Sequence, residues 1–232
     1  MLDIIFKGFK PLIAQHKIIS IIGESSTGKT TLALQLIANL MSCNNSSNKE
    51  AIWIQASENF PKKRLIAMYQ NKPGVVSSLL KRIYIIPKEK TFSNVSSQSN
   101  FFKNFKNLVL PPEVKYIVID NISHLHRFAR ANIPELKEKM KFMNQFFNQE
   151  LFPLLMLCLR KNYYLFLIHE VSCNPKSGKL RAYNNQLFKR VKGIEIYLSK
   201  SIYSNLKSMK ISIQGISKQF TYEISDRGLI IL

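Results

Sequence analysis

Apolar runs of strand length alternate with apolar residues at helical spacing along the first two thirds of the chain. The strand-type runs are Ile18 to Ile22, Ala51 to Gln55, Ile83 to Ile86 and Tyr116 to Asp120. Helical segments are predicted between and after them, at Lys29 to Met41, near Lys62 to Tyr69, within Gln98 to Asn107, and from Pro134 to Lys161. This βαβ alternation predicts an α/β fold with a mostly parallel sheet covered by helices.

The pattern changes after a further apolar run at Tyr164 to His169. Shorter strand-type runs follow around Ile194 to Leu198, Met209 to Gln214 and Phe220 to Ile224, and a last strand follows Asp226-Arg227-Gly228. Because these runs have no helical segment between them, they predict an antiparallel edge of the sheet. Two polar stretches, Cys43 to Lys49 and Thr91 to Asn100, are predicted to be loops. We expect residues 1–232 to form one domain.

The long helical segment has its own internal pattern. Pro134 suits the first turn of a helix, and Pro153 is expected to kink or divide the helix. A set of apolar side chains at helical spacing is predicted to face the core: Leu136, Met140, Met143, Phe147, Leu151, Leu154 and Cys158.

A glycine-bracketed loop follows the first strand-type run and precedes the first helical segment. It reads Gly23-Glu24-Ser25-Ser26-Thr27-Gly28-Lys29-Thr30, with Thr31 next, and it fits the pattern G-x-x-x-x-G-K-[ST]. Backbone N–H groups in such a loop, together with a helix N-terminus, form a cradle for phosphate. The alternative is an ordinary glycine turn before a helix, but the strand and helix on either side favour the phosphate cradle.

The side chains at the end of this loop predict a nucleotide and a metal ion. Lys29 is placed to reach the β- and γ-phosphates of a nucleotide, and the hydroxyl of Thr30 is placed to bind Mg²⁺. Asp120 ends a buried apolar strand, where a carboxylate can hold a water of the Mg²⁺ shell. A merely structural aspartate is the alternative. The residues therefore predict that a nucleotide binds together with Mg²⁺.

The charge of the chain points to a polyanionic partner. It has 34 Lys and Arg against 14 Asp and Glu, a formal net charge of +20. A solvated, solubilising surface explains the same composition equally well. The longest apolar stretch near the start is interrupted by Lys7, Lys10 and Lys17, so we expect no membrane span and an intracellular protein.

Several segments resemble one family. They are GESSTGKTTLALQLIANL, YIVIDNISHLHRF, SGKLRAY and the terminal YEISDRGLIIL. Together they are similar to the ATPase core of the RecA/RadA recombinase family, and most similar to the archaeal RadB-type paralogues, which lack the N-terminal helical domain. The resemblance covers nearly the whole chain from about Lys17. It implies a RecA-like fold, ATP and Mg²⁺ binding, DNA binding, and a role beside a main RadA-type recombinase in homologous recombination and repair.

The chain also departs from the family pattern at catalytic positions. Ser57 falls on the position of the glutamate that activates water, and Glu58 lies one residue later. Glu170 replaces the glutamine that senses the γ-phosphate, and a carboxylate there would repel a phosphate unless it were protonated or bridged by a cation. Lys29, Glu58 and Glu170 are therefore the predicted catalytic residues, and ATP hydrolysis is expected to be weak.

The resemblance also places the DNA-binding loops. Arg127 and Arg130 follow the Asp120 strand, where the first DNA loop of the family lies. The second DNA loop is expected to contribute Lys176, Lys179, Arg181, Lys189, Arg190 and Lys192, although Asn184 and Asn185 replace its usual glycine pair. Such a basic surface favours single-stranded or double-stranded DNA irrespective of sequence.

Two further functions remain open on the sequence alone. A P-loop kinase for a nucleotide or small molecule would share the phosphate cradle, but no clear arginine-bearing lid segment is present. A scaffold that keeps the RecA-like fold and uses nucleotide only as a structural ligand would also share it. Turnover of ATP with and without single-stranded DNA distinguishes these alternatives from a recombinase paralogue.

Overall fold

The computed structural model of the protein describes residues 12–13, 15–42, 48–173, 180–183, 193–200 and 206–232. Its strands are β1 (Ile18–Gly23), β2 (Glu50–Gln55), β3 (Ile83–Ile86), β4 (Val114–Asp120), β5 (Tyr164–His169), β6 (Val171–Cys173), β7 (Leu180–Ala182), β8 (Ile194–Lys200), β9 (Lys207–Ile213), β10 (Ile216–Ser225) and β11 (Gly228–Ile231). Within the described residues, nine of them form one sheet in the order β11-β10-β9-β8-β1-β5-β4-β2-β3.

The sheet is parallel through its centre and antiparallel at one edge. Strand β1 pairs in parallel with both β5 and β8, and β4 pairs in parallel with β5 and β2. The strands from β8 to β11 pair with one another in antiparallel fashion. This arrangement confirms the predicted mostly parallel sheet with an antiparallel C-terminal edge. Strands β6 and β7 form a separate two-stranded hairpin that follows β5.

Helices cover both faces of this sheet. They are α1 (Lys29–Ser42), α2 (Lys62–Met68), α3 (Pro73–Arg82), α4 (Val95–Asn104), α5 (His124–Ala131), α6 (Leu136–Phe146) and α7 (Phe152–Arg160). Alternate residues of β1 point to opposite faces: Ile19 and Ile21 pack in a core cluster with α1, α2 and α3, whereas Ile18 packs in a second cluster with α4, α6 and α7. Burial on both faces explains why the central strands are apolar throughout.

Two helices were not predicted from the sequence. α3 begins with Pro73 in its first turn and buries only Val76 and Leu79, so its apolar stripe is short. α5 carries two histidines and two arginines in eight residues and buries only His126. In both helices few buried positions mark the helical period, because each covers only a small part of the core.

The predicted loop from Thr91 to Asn100 is wrong in its second half, because α4 begins at Val95. The side chain of Asn94 accepts a hydrogen bond from the backbone N–H of Ser97 at 2.9 Å, and the Ser97 hydroxyl lies 3.3 Å from the backbone N–H of Asn94. This reciprocal capping box satisfies two otherwise unpaired helix donors. The polar residues that suggested a loop therefore start a helix.

The predicted helix from Pro134 to Lys161 is divided into α6, a π-helical turn at Phe147–Leu151, and α7, with Pro153 in the first turn of α7. Met143, Phe147, Leu151, Leu154 and Cys158 are buried as predicted.

The same prediction is wrong for Leu136 and Met140, which are 68% and 58% exposed. The main helix contacts of α6 are with α5 and the π-helical turn. As a result, only the C-terminal end of α6, at Met143 and Phe146, joins the core cluster.

A buried glutamine joins α1 to the last strand of the sheet. Gln35 is 1% exposed, its amide Nε2 donates to the carbonyl of Leu229 at 3.2 Å, and its Oε1 accepts from the N–H of Leu229 at 2.9 Å. The Gln35 side chain thus makes the two hydrogen bonds to Leu229 that the backbone of a neighbouring strand would otherwise make. It satisfies two backbone groups that would otherwise be buried without partners.

We predict that Gln35→Leu destabilises the protein, since it leaves the N–H and the carbonyl of Leu229 unpaired. Each unsatisfied buried group costs about 1–3 kcal/mol. The free energy of unfolding from urea titration measures the loss. Gln219→Leu is the matched control, because Gln219 is exposed and donates only to the Ser208 hydroxyl. A surface change of this kind is worth about 0.5 kcal/mol or less, and equal losses in the two variants would contradict the prediction.

Candidate functional site

The glycine-bracketed loop lies between β1 and α1, at the carboxyl end of the central parallel strands. A Cβ atom on Gly23 would lie 2.5 Å from the carbonyl oxygen of Leu198 and 2.7 Å from the Thr27 hydroxyl. Gly28 has a φ of +86°, a conformation that side chains rarely adopt. Both glycines of the pattern are therefore required by local geometry, and the loop closes into the wrapped form that a phosphate cradle needs.

The C-terminal strands support this loop from behind. The hydroxyl of Tyr222, a fully buried residue of β10, donates to the carbonyl of Thr27 at 2.7 Å. A Cβ atom on Gly28 would meet the side chain of Ile224 at 2.9 Å and that of Leu229 at 3.2 Å. Within the loop, the Thr27 hydroxyl donates to the carbonyl of Glu24 at 2.9 Å. These contacts support the conformation of the loop from within the fold.

Lys29 extends from the first turn of α1 into the site. Its Nζ donates to the carbonyl of Glu24 at 2.7 Å. Burial disfavours the ammonium form and holds the pKa of Lys29 below its usual value, while the carboxylates of Asp120, Glu170 and Glu58 act in the opposite direction. Lys29 is thus a partly desolvated cation, and an incoming anion would compensate for its lost hydration.

Asp120 ends β4 next to the loop and is 2% exposed. Burial raises the pKa of its carboxyl group to about 7, although a hydrogen bond with Thr30 opposes the rise. Among the residues that the structure describes, its buried Oδ2 atom has no hydrogen-bond partner. The Thr30 hydroxyl and the Asp120 carboxylate lie side by side, and hard divalent cations prefer oxygen ligands of this kind. The residues present therefore fit Mg²⁺.

These groups open into one cavity of about 410 Å³. Its lining comprises Gly23, Glu24, Ser25, Ser26, Gly28, Lys29, Thr30, Thr31, Glu58, Asp120, Asn121, Arg127, Glu170 and Val171. The sequence-predicted loop, the predicted metal-binding residues and the three predicted catalytic residues thus meet in a single place.

Glu170 follows β5 and is held from α5 by two side chains. His124 Nδ1 lies 2.7 Å from its Oε1, and Arg127 Nη1 donates to its Oε2 at 2.9 Å. Burial raises the pKa of Glu170, but the hydrogen bonds with His124 and Arg127 outweigh burial and the pKa lies below its usual value. Glu170 is therefore an ionised carboxylate that is already bridged by a cation.

The backbone on both sides of this ion pair is also fixed. The N–H of Glu170 donates to the Ser123 hydroxyl at 2.8 Å, and that hydroxyl donates to Asn121 Oδ1 at 2.8 Å. The N–H of Ser123 donates to the same oxygen at 2.9 Å. Asn121 and Ser123 were not singled out from the sequence, and they connect the end of β4 to the end of β5.

The structure separates the roles of Ser57 and Glu58. The Ser57 hydroxyl accepts a hydrogen bond from the N–H of Asn121 at 3.3 Å, whereas Glu58 is exposed and lines the cavity. Strand β2 ends at Gln55, so strand alternation does not govern the direction of either side chain. The one-residue offset from the family pattern therefore still brings a carboxylate into the cavity.

The residues predicted to bind DNA are placed only in part. Arg127 lines the cavity and bonds Glu170, with 55% of its side chain exposed. Arg130 is half-buried, with its guanidinium 5.9 Å from the centre of the Tyr183 ring. Arg181 lies in β7, and only its backbone is described. Lys176, Lys179, Lys189, Arg190 and Lys192 lie outside the described residues.

Sequence reasoning missed His124 and Arg127 as neighbours of the cavity. Their spacing of three residues places them on one face of a helix, but α5 itself was not predicted. It also missed Tyr222, whose distance from the loop along the chain gives no local signal.

In the described part of the chain, no helix is long and apolar enough to cross a membrane. No family model and no curated protein matches the sequence. The structure is nevertheless similar to a solved structure described as the crystal structure of the RadB recombinase. The TM-score is 0.68, the identity is 21%, and the match covers 91% of this chain and 89% of that chain. The chain therefore has a RecA-like fold of the kind seen in RadB.

Proposed function

We propose that the protein is an ATP- and Mg²⁺-binding recombinase paralogue that binds DNA and hydrolyses ATP slowly. It assists a main RadA-type recombinase in homologous recombination and DNA repair inside the cell. One observation carries the nucleotide part of this proposal: Lys29, Thr30 and Asp120 converge in one cavity behind a preformed phosphate loop. The RecA-like fold and the resemblance to RadB-type paralogues support the recombination part.

Each residue of the cavity has a role in this proposal. The loop from Gly23 to Gly28 binds phosphate oxygens through its backbone N–H groups, and Lys29 binds the β- and γ-phosphates. Thr30 and Asp120 hold Mg²⁺, which neutralises charge on the phosphates when bound. The buried Asp120 carboxylate is then compensated, and nucleotide and metal binding stabilise the fold together.

Slow hydrolysis follows from the two carboxylates near the reacting end of the nucleotide. Glu58 is the carboxylate available to orient a water, and it is exposed in a segment beyond the end of β2. An exposed side chain is held less firmly in the orientation that general-base catalysis requires. Glu170 stands where the family has a glutamine, and it is bonded to His124 and Arg127.

DNA binding rests on charge and position. The formal net charge of +20 favours polyanions, and Arg130 lies on α5, whose first turn contacts Glu170. Because α5 also reaches the nucleotide cavity, nucleotide and DNA can influence each other through one helix. The basic residues between β6 and β8 complete the proposed DNA surface.

The first test of this proposal is the effect of saturating MgATP on thermal stability. A ligand at 100 times its Kd stabilises a protein by about 2.7 kcal/mol, which corresponds to about 5–10 °C in Tm for a domain of this size. Lys29→Ala is expected to abolish most of the shift, while Lys62→Ala, at an exposed lysine, retains it. An unchanged Tm in wild type, or an equal rise in Lys29→Ala, would show that the loop does not bind ATP.

A second test uses the pH dependence that Asp120 creates without metal. The pKa of Asp120 is raised to about 7 on folding, so the folded state keeps its proton while the unfolded state loses it. Asp120 therefore lowers stability as pH rises from about 4 to about 7, by an amount on the order of a few kcal/mol at most. Asp120→Asn removes this cost. In EDTA, the free energy of unfolding measured by urea titration should therefore be higher for the variant than for wild type at pH 8, but not near pH 4.

The control for this test is Asp226→Asn, because the Asp226 side chain is 91% exposed. It should show no such pH-dependent gain. MgATP should then stabilise wild type far more than Asp120→Asn. If Asp120→Asn is no more stable than wild type at pH 8 in EDTA, the Asp120 carboxylate carries no uncompensated charge and the metal assignment fails.

We also predict that ATP turnover is about 10²- to 10⁴-fold below the ordinary enzyme rate of about 10 s⁻¹. Single-stranded DNA should raise it more at low salt than at high salt, because phosphate contacts weaken with salt. Glu58→Gln should lower the remaining turnover, and the exposed Glu89→Gln should not. Turnover at ordinary rates without DNA would argue against a paralogue of this kind, and phosphoryl transfer to a small acceptor would favour a kinase.

A further inference from the structure

Arg127 and Glu170 form an ion pair at the lining of the proposed nucleotide cavity, with 55% of the Arg127 side chain exposed to solvent. Arg127 Nη1 and Glu170 Oε2 are 2.9 Å apart, and both residues line the cavity together with Lys29. Burial lowers the pKa of Lys29, and the negative charge of the Glu170 carboxylate opposes that shift. Since Lys29 reaches the β- and γ-phosphates in sites of this pattern, the pair lies at the terminal-phosphate end of the cavity.

The charges that line the cavity are unbalanced. Its described carboxylates are Glu24, Glu58, Asp120 and Glu170, and its described cations are Lys29 and Arg127. Mg²⁺ would offset Asp120, but Glu170 would still face the terminal phosphate as a like charge. Besides Lys29, Arg127 is therefore the described cation of the lining that can compensate the terminal phosphate. In the structure Arg127 is bonded to Glu170.

The pair is also built into the fold at both partners. His124 and Arg127 lie three residues apart on α5 and bond different oxygens of the same carboxylate. The N–H of Glu170 is bonded to Ser123, directly before α5. A guanidinium binds phosphate oxygens through two parallel hydrogen bonds as readily as it binds a carboxylate. Arg127 can thus exchange Glu170 for a phosphate by moving its side chain, without any rearrangement of the sheet.

From these contacts we infer that Arg127 binds the terminal phosphate of a nucleoside triphosphate, and that Glu170 competes with this phosphate for Arg127. The inference rests on the proposed nucleotide binding and adds a specificity-determining pair to it. A diphosphate leaves the Arg127–Glu170 pair intact, whereas a triphosphate must break it. Glu170 thus reduces the preference of the site for triphosphate over diphosphate. Arg127, expected from the sequence to bind DNA, is assigned to the nucleotide instead.

The test measures the Kd of the full chain for fluorescent nucleoside triphosphate and diphosphate with Mg²⁺, by equilibrium fluorescence. Glu170→Gln removes the competing charge and should tighten triphosphate binding about tenfold relative to diphosphate. Arg127→Gln should weaken triphosphate binding about tenfold and change diphosphate binding by less than about twofold. The Glu170→Gln effect should shrink in the Arg127→Gln background, because the two residues act through one contact.

Arg160→Gln is the matched control, since Arg160 is exposed at the end of α7. Arg127→Lys keeps the positive charge but lacks the planar guanidinium, so its loss of triphosphate affinity should be intermediate. This variant also tests whether the effect of Arg127→Gln comes from a folding defect. Equal effects of Glu170→Gln on both nucleotides would overturn the inference, as would a loss of DNA affinity without any change in triphosphate affinity in Arg127→Gln. If wild type binds neither nucleotide, the proposed function itself fails.

Discussion

The candidate nucleotide site depends on the packing of the last strands of the sheet against a loop near its first strand. The loop from Gly23 to Gly28 has little apolar surface of its own, and its conformation is fixed by Tyr222, which bonds the Thr27 carbonyl, and by the side chains that pack on Gly28. Gln35 secures β11 in the same way from α1. The conformation of the proposed phosphate loop is therefore supported by tertiary contacts, which would reduce the entropy that phosphate binding costs.

The second constraint is the balance of buried charge. A carboxylate at Asp120, a desolvated ammonium at Lys29 and the Arg127–Glu170 pair share one cavity. The cost of burying the Asp120 carboxylate appears as its raised pKa, and the cost of burying the Lys29 ammonium appears as its lowered pKa. Both costs would be reduced by a ligand that brings a divalent cation and an anion together, and this is the physical link between the charges of the cavity and the proposed cofactors.

The parts of the site that could be predicted are those encoded locally. The loop, Lys29, Thr30 and the end of β4 are each recognisable within a few residues, and burial on both faces marks the central strands. The Arg127–Glu170 pair joins residues 43 positions apart and depends on α5, a short helix that was not predicted and that buries only His126. Leu136 and Met140 were misassigned because helical spacing shows which residues share a face of a helix, but not how far the core extends along it.

The contact between Tyr222 and Thr27 can form only at the end of protein synthesis. The two residues are 195 positions apart, so the loop emerges from the ribosome long before β10 and β11 do. Until those strands have emerged and docked, Gly28 lacks its packing partners and Leu229 cannot bond Gln35. In a nascent chain the loop therefore gains these supporting contacts late, when the antiparallel edge of the sheet closes.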